Sequence, residues 1–410
     1  MAKESKKSVI VTFKPKEKRQ EKRKDKTEIV KAEISSDVSF FSAEDLSRGV
    51  TVPSGMPEEM VGYDVNLYEA PIVMAHLTAK EIAALKRNKN IAAVEDDGYC
   101  YAVDGSNDLR HMVIEDQPSV QAETIPAGVH QIKAPAAWGC SRGKAIKVGI
   151  CDTGIDFNHP DIKPNYRFGT SFVPTESSAM DHHGHGTHCA GTVAAAINGS
   201  GVVGVAPEAY LYAIKVLSKT GQGNWSWLIA GIDWAINKKG LNILSMSLGG
   251  AGAPNALKNM CDAAWNKGVL LVAAAGNAGP GPNTVGFPAK YDSVLAVSAI
   301  DSANGTPSFS SRGAQVELCA PGVNVLSTSP GGGYRKMSGT SMACPHVSGA
   351  AALAWGAHRY ADNKTIRRLL AWRSDNLGVP GRDNLFGYGR VDAEQSACEL
   401  SVPPAIPGIP

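Results

Sequence analysis

The sequence predicts an α/β fold: a mostly parallel sheet flanked by helices, preceded by a small α+β unit. Three observations carry this. Five apolar runs, 146–151, 209–216, 243–248, 269–275 and 294–300, alternate with segments of helical spacing such as 225–238 and 256–267. Strands apolar on both faces and interleaved with helices belong to a parallel sheet covered by helices. Glycine supplies 43 of 410 residues, which favours tight turns and close backbone approach over long helical arrays. At 43% hydrophobic and 20% charged, the chain has material for a large core, and disorder of the whole chain is excluded.

Taken in order, residues 1–27 carry eleven Lys/Arg and four Asp/Glu, a local charge of +7 within a total of +2, so the rest sums to −5. Such a run reads as a solvated basic arm. Strands are expected at 9–13, 64–69, 72–77 and 91–95. Between the last two, Thr78 is a candidate N-cap for a helix running to Lys86. The stretch from Val103 to about Gln121, with Gly105 and Pro118, reads as a linker. The domains expected are therefore 1–121, with the basic arm 1–27, an α+β unit to about 103 and a linker 104–121; then 122–398; then a Pro-rich tail, 399–410.

Several function classes drop out. The small net charge argues against a dedicated nucleic-acid binder, and no apolar run approaches the ~18 residues of a membrane span. No secretory signal is legible, which favours the cytoplasm; the alternative is secretion with a leader outside this sequence. The eight cysteines form no CxxC pair, and several sit in apolar runs, so mostly reduced thiols are expected.

In an open parallel sheet, ligands bind beyond the carboxyl ends of the strands. Those ends here carry Asp152-Thr153-Gly154, Gly249-Gly250 and Gly276-Asn277. Two small-residue helices supply what is missing: His185 opens one and Ser341 the other. A serine hydroxyl needs an adjacent base, and the base an orienting acid. A helix amino end favours the negative charge of an oxyanionic intermediate. The chain order Asp, His, Ser differs from the Ser, Asp, His order of α/β-hydrolases.

The boxes Asp152-Thr153-Gly154-Ile155, His185-Gly186-Thr187-His188-Cys189-Ala190-Gly191-Thr192 and Gly339-Thr340-Ser341-Met342-Ala343-Cys344-Pro345-His346 resemble the three signatures of the subtilisin-like serine proteases. Cys189 is similar to the proteinase K branch. The resemblance runs from about Ala122 to Ala397. It implies a three-layer subtilisin-like fold and a serine endopeptidase with Ser341 as nucleophile, His185 as general base, Asp152 as its orienting acid and Asn277 as oxyanion donor. It further implies that Gly221, Gln222 and Gly223 on one side and Ser247, Leu248 and Gly249 on the other sandwich a substrate strand. An S1 pocket would lie between Ser247–Gly249 and Ala274–Gly276, with Gly286 at its floor. Its lack of charge implies broad specificity with an apolar or aromatic P1 preference. Trp225 would help form S4, or pack on the core at its helix start.

The resemblance also implies a structural calcium ion held by Glu123, Asp161, Asn198 and the carbonyls of Ala196, Ser200 and Val202, a donor set suited to a hard cation. Residues 70–99 resemble an inhibitory, ferredoxin-like propeptide that assists folding, with self-cleavage expected near Gln121–Ala122. Partners are then protein or peptide substrates and the chain's own propeptide. Zinc at His182, His183, His185 and His188 lacks an HExxH or Cys-pair motif; His182 and His183 read as loop residues and His188 as a core histidine. A thiol-protease reading fails because Cys189 has no base of its own. A non-catalytic scaffold is opposed by the complete set of Asp152, His185, Asn277 and Ser341.

Overall fold

The computed structural model describes residues 5–14, 24–35, 37–42, 45, 52–53, 56–65, 71–103, 115–117, 122–399, 404–406 and 409–410. The leading unit runs β1 (Lys7–Phe13), a helix Lys24–Glu33, β2 (Ser39–Ser42), β3 (Val61–Val65), β4 (Ile72–Leu77), a helix Ala79–Arg87 and β5 (Ile91–Asp96). The strands form one sheet in the order β2-β3-β4-β1-β5. Without the added edge strand β2, this is the split βαββαβ arrangement of ferredoxin-like units. Thr78 begins the Ala79–Arg87 helix as expected: its hydroxyl accepts from Glu81 N, and the Glu81 carboxylate accepts from Thr78 N at 2.9 Å. Val9, Val11, Val73, Ala75, Leu77 and Leu85 pack between sheet and helices.

The basic arm needs correcting. Part of it is folded: β1 pairs with both β4 and β5, and Lys26 reaches the buried Asp64 at 2.6 Å. A charge-dense sequence still supplies a central strand here, because Val9, Ile10 and Val11 are fully buried. Residues 15–23 lie outside the described part.

Past β6 (Tyr99–Ala102) and β7 (Glu115–Gln117), the larger unit is built on a seven-stranded sheet. Its strands are β8 (Lys147–Asp152), β9 (Tyr166–Ser171), β10 (Tyr210–Lys215), β12 (Ile243–Met246), β14 (Leu270–Ala274), β15 (Val294–Ile300) and β16 (Val316–Pro321), in the order β16-β15-β14-β12-β8-β10-β9. Every neighbouring pair is parallel. The chain enters at β8, fills one side with β10 and β9, then crosses to β12 and fills the other. The carboxyl end of β8 is therefore beside the topological switch, where such sheets place their ligands.

Helices cover both faces. The Thr340–Ala357 helix is buried along nearly its whole length between the sheet and the helices His185–Ala194 and Asn363–Trp372. On the other face, helices Trp225–Trp234 and Asn255–Asn266 pack on the sheet. The first of these ends four residues earlier than expected and continues as a wider turn, Ala235–Lys239. A small antiparallel sheet β17 (Val325–Ser329), β18 (Gly333–Met337) and β7 lies beside the His185 helix. One disulfide, Cys140–Cys398, joins the beginning and end of this unit, and the other six cysteines are free and buried. No helix among the described residues is long and apolar enough to cross a membrane.

Candidate active site

Three elements deliver three side chains to one place. Asp152 is the last residue of β8, His185 the first of its helix, and Ser341 the second of the central helix. All three are almost wholly buried. His185 Nδ1 lies 2.8 and 2.9 Å from the two carboxylate oxygens of Asp152, which fixes Nδ1 as the protonated nitrogen of the neutral ring and leaves Nε2 with its lone pair. Gly186 is required by this approach. A Cβ there would stand 2.1 Å from Gly154 O and 3.1 Å from the Cβ of Asp152.

A support the sequence reading missed lies behind the pair. The Asp181 carboxylate accepts hydrogen bonds from the backbone N–H groups of His183, Gly184 and Thr187 and from the hydroxyls of Thr153 and Thr187. Thr153 Oγ1 in turn accepts from Gly186 N at 2.9 Å. Asp181 thus ties the start of the histidine helix to the residue after Asp152. Burial alone would raise its pKa, but these hydrogen bonds hold the carboxyl below the ordinary aspartate range. Lys215, buried on β10, donates to Thr153 O and pairs with Glu176 at 3.0 Å. The only signal for Asp181 was its place just before the His box.

The neighbours are inert. His188 Nε2 donates to Val325 O and Arg335 O, and burial drives its pKa down to about 3; it is a neutral core histidine. His182 is exposed and His183 half-buried. The Cys189 thiol lies close to Asp152 and His185, and burial pushes its pKa far up, so it stays protonated.

At the serine, the chain itself fills the cleft. β6 is sandwiched antiparallel between β11 (Gln222–Asn224) and β13 (Leu248–Gly249). Tyr101 pairs with Gln222 and Gly249, Cys100 with Gly223, and Ala102 with Leu248. Ala102 N donates to Gly221 O at 2.9 Å and Val103 N to Ser247 O at 3.2 Å. Both expected edges therefore hold a strand, and its register ends on Val103. The Val103 carbonyl accepts from Ser341 Oγ at 2.6 Å and from Asn277 Nδ2 at 3.1 Å. Asn277 is aimed by its other end, since Oδ1 accepts from the N–H and hydroxyl of Thr340, each at 3.0 Å. Gly339 leaves the space open: a Cβ there would lie 3.0 Å from Val103 O and 3.1 Å from Asn277 Nδ2.

The Val103 side chain points toward Gly249, 3.6 Å from where a Cβ on that residue would stand. Beyond it, Gly286 N donates to Ala275 O, and Gly250 and Phe287 exchange backbone hydrogen bonds. This places Gly286 alongside the Ala274–Gly276 segment, with no charged side chain among these residues. Trp225 and Cys100 are buried in the same apolar cluster, so Trp225 packs on the core, and its ring lies 3.5 Å from where a Cβ on Gly98 would stand, just before β6.

One expectation is changed: Val103 belongs to the bound strand and not to a linker. The carbonyl presented to Ser341 is that of Val103, and Gln121, expected beside the cleaved bond, lies outside the described residues. Ala122 is exposed, and the next residues are tied elsewhere: Thr124 N donates to Gly201 O at 2.7 Å and Val203 N to Thr124 O at 3.0 Å.

The leading unit is clamped to two helix starts. Asp97 accepts from Ser226 N at 2.9 Å and Ser226 Oγ at 2.6 Å, at the start of the Trp225–Trp234 helix. Glu95 accepts from Asn255 N at 2.9 Å and Ala256 N at 3.3 Å, where Pro254 has no side-chain cap to offer. Carboxylates satisfy the unpaired N–H groups and the positive end of a helix.

The cation residues gather as follows. Asp161 is fully buried; its oxygens accept from Val202 N and Asn198 Nδ2, each at 2.9 Å. Glu123 accepts from Asn198 N and Gly199 N at 2.8 and 2.7 Å, bracing the loop from outside. A buried carboxylate facing an Asn amide, whose oxygen and nitrogen interchange by a flip, fits a hard cation. The carbonyls of Ala196, Ser200 and Val202 belong to the same turn.

With this geometry in hand, comparison with known proteins is direct. The profile of the subtilase family matches residues 143–389. Subtilisin E of Bacillus subtilis (strain 168) is 44% identical over 320 residues, 77% of this chain and 77% of that protein. A subtilisin of Bacillus pumilus is 46% identical over 280 residues, 67% of this chain and all of that protein. An alkaline protease of Shouchella clausii is 40% identical over 325 residues, 79% of this chain and 78% of that protein.

Proposed function

The chain belongs to the subtilase family of serine endopeptidases, and on that premise we propose that it is made as a self-processing zymogen acting through Asp152, His185 and Ser341. One observation carries this: a carbonyl of the chain accepts hydrogen bonds from both Ser341 Oγ and Asn277 Nδ2, in a unit where His185 is paired with Asp152. Ser341 Oγ attacks the substrate carbonyl as His185 Nε2 takes its proton. Asp152 stabilises the imidazolium that results. The oxyanion is met by the Asn277 amide and the Ser341 N–H. His185 then protonates the leaving amine, and water, activated by the same imidazole, releases the acyl group.

Substrates are polypeptides bound as a strand between β11 and β13, a backbone pairing tolerant of sequence. The uncharged pocket around Gly249 and Gly286 selects apolar or aromatic P1 residues. The leading unit serves as inhibitor and folding partner. Calcium, when bound, supplies a fixed positive charge that Asp161, Asn198 and Glu123 hold, stiffening the 196–202 turn. The Cys140–Cys398 disulfide favours an oxidising compartment over the cytoplasm.

A fluorophosphonate should label Ser341 in the processed protein and leave Ser341→Ala unlabelled. The Ser341→Ala chain, folded alone, should remain intact; its self-cleavage would overturn the assignment of the nucleophile.

A further inference from the structure

We propose that the first bond this chain cuts is its own, on the carboxyl side of Val103, and that residues 104–121 stay on the catalytic unit until a second molecule removes them. The proposal rests on the protease reading above and adds which bond, in which order.

Register decides the bond. Along β6 the residues alternate, Tyr99 and Tyr101 exposed, Cys100 and Ala102 buried. A slip of one residue would turn both tyrosines into the cleft and expose Cys100 and Ala102. The slip is further opposed upstream, where Asp97 and Glu95 grip two helix starts, only a few residues before Val103. The strand thus delivers one carbonyl to the nucleophile.

The chemistry balances with water as the only co-reactant. Ser341 Oγ bonds to the Val103 carbonyl carbon while its proton passes to His185 Nε2. The Val103 C–N bond then breaks, and that proton goes to the amine of residue 104. Water hydrolyses the Val103 ester, leaving a carboxylate on Val103 and restoring the Ser341 hydroxyl. The products are 1–103 and 104–410.

The residues on either side of the 121–122 bond are engaged elsewhere in the same molecule. While β6 fills the cleft nothing else can enter. Thr124 is bonded to Gly201 and Val203, Glu123 braces Asn198 and Gly199, and β7 pairs with β18 through Glu115–Lys336, Asp116–Arg335 and Gln117–Tyr334. Drawing this segment into its own cleft would break these bonds, whereas a neighbouring molecule can meet it where it stands, at the exposed Ala122.

The test is refolding of the full-length chain at two concentrations a hundredfold apart, with quenched samples read by intact mass and terminal sequencing. The expected first products end at Val103 and begin at residue 104, with a half-time independent of concentration. Trimming of 104–121 should follow and accelerate with concentration. In the Ala122→Pro chain, the 104–410 species should form at the wild-type rate and accumulate. A Val103→Asp chain should make the first cut about 10–100-fold more slowly, as expected for a misfit in an apolar pocket. A first new terminus at Ala122, a block of the first cut by Ala122→Pro, or trimming at a concentration-independent rate would overturn the proposal. So would an uncut chain whose Ser341 is labelled by fluorophosphonate. An uncut, unlabelled chain would instead overturn the protease reading on which it rests.

Discussion

Replacing Asp97 by alanine should loosen the leading unit from the catalytic unit about 30-fold. Across the interface, the Asp97 carboxylate accepts from Ser226 N and Oγ at 2.9 and 2.6 Å, and from Asn224 Nδ2 at 3.4 Å. The alanine variant leaves a buried N–H and hydroxyl at the helix start without that partner. Hydrogen bonds to a charged group contribute about 1.5–3 kcal/mol and a helix cap about 1 kcal/mol. Against them stands the cost of burying the charge, visible in an Asp97 pKa that burial raises despite the hydrogen bonds from Ser226, Ser8 and Asn224. A net of about 2 kcal/mol remains, which corresponds to about 30-fold in dissociation constant. The assay is serial dilution of the self-processed complex, reading the fraction of active enzyme at each concentration. A dissociation constant within threefold of wild type would refute the reasoning. The linkage sign gives a companion result. Because the Asp97 pKa is raised in the complex, its contribution to binding is full below the ordinary aspartate value and declines as the pH rises through the raised one. Mild acid therefore does not release the leading unit through Asp97.

Other outcomes follow from the same geometry. Calcium at about a hundredfold above its dissociation constant should stabilise the processed enzyme by about 2.7 kcal/mol, raising Tm by ~5 °C or more; Asp161→Asn should abolish the difference between calcium and chelator. The paired substitution Cys140→Ser with Cys398→Ser should lower stability by about 2–4 kcal/mol in urea unfolding, and a reductant should then have no further effect. His188 and His346 are held neutral by burial, with pKa values near 3 and 4. Since the unfolded chain binds these protons at ~6.5, stability is full above that value and falls as the pH drops from it toward 4. At pH 5 each imidazole should cost about 2 kcal/mol; a Ser341→Ala chain equally stable at pH 7 and pH 5 would contradict this.

The strands at 146–151, 243–248, 269–275 and 294–300 were legible because burial on both faces leaves an unbroken apolar run. The edges were not. β9 opens with Tyr166, Arg167 and Phe168 partly in solvent, and β16 contains Glu317, whose charge hides it. That glutamate is satisfied only in the fold, by a two-pronged pair with buried Arg367 at 2.8 and 2.6 Å. The Lys24–Glu33 helix escaped notice because, among its described side chains, only Val30 is buried. β6 escaped for another reason: its partners lie more than a hundred residues away, and no local pattern marks a strand whose edges are supplied by Gln222 and Leu248. At the site, Asp152, His185, Asn277 and Ser341 stood out because each follows or opens a regular element. Asp181 did not, since a loop carboxylate has no periodicity, and its role depends on five donors that only folding brings together.

The Cys140–Cys398 bridge turns nearly all of the catalytic unit into a closed ring. An enzyme that works among copies of itself is exposed to accidental nicks in its loops. With the ring sealed, one such break anywhere between the two cysteines yields no free piece, only a linear chain still tied at its far ends. The severed halves remain at high effective concentration and can stay packed around the central helix, so damage of this kind need not mean loss.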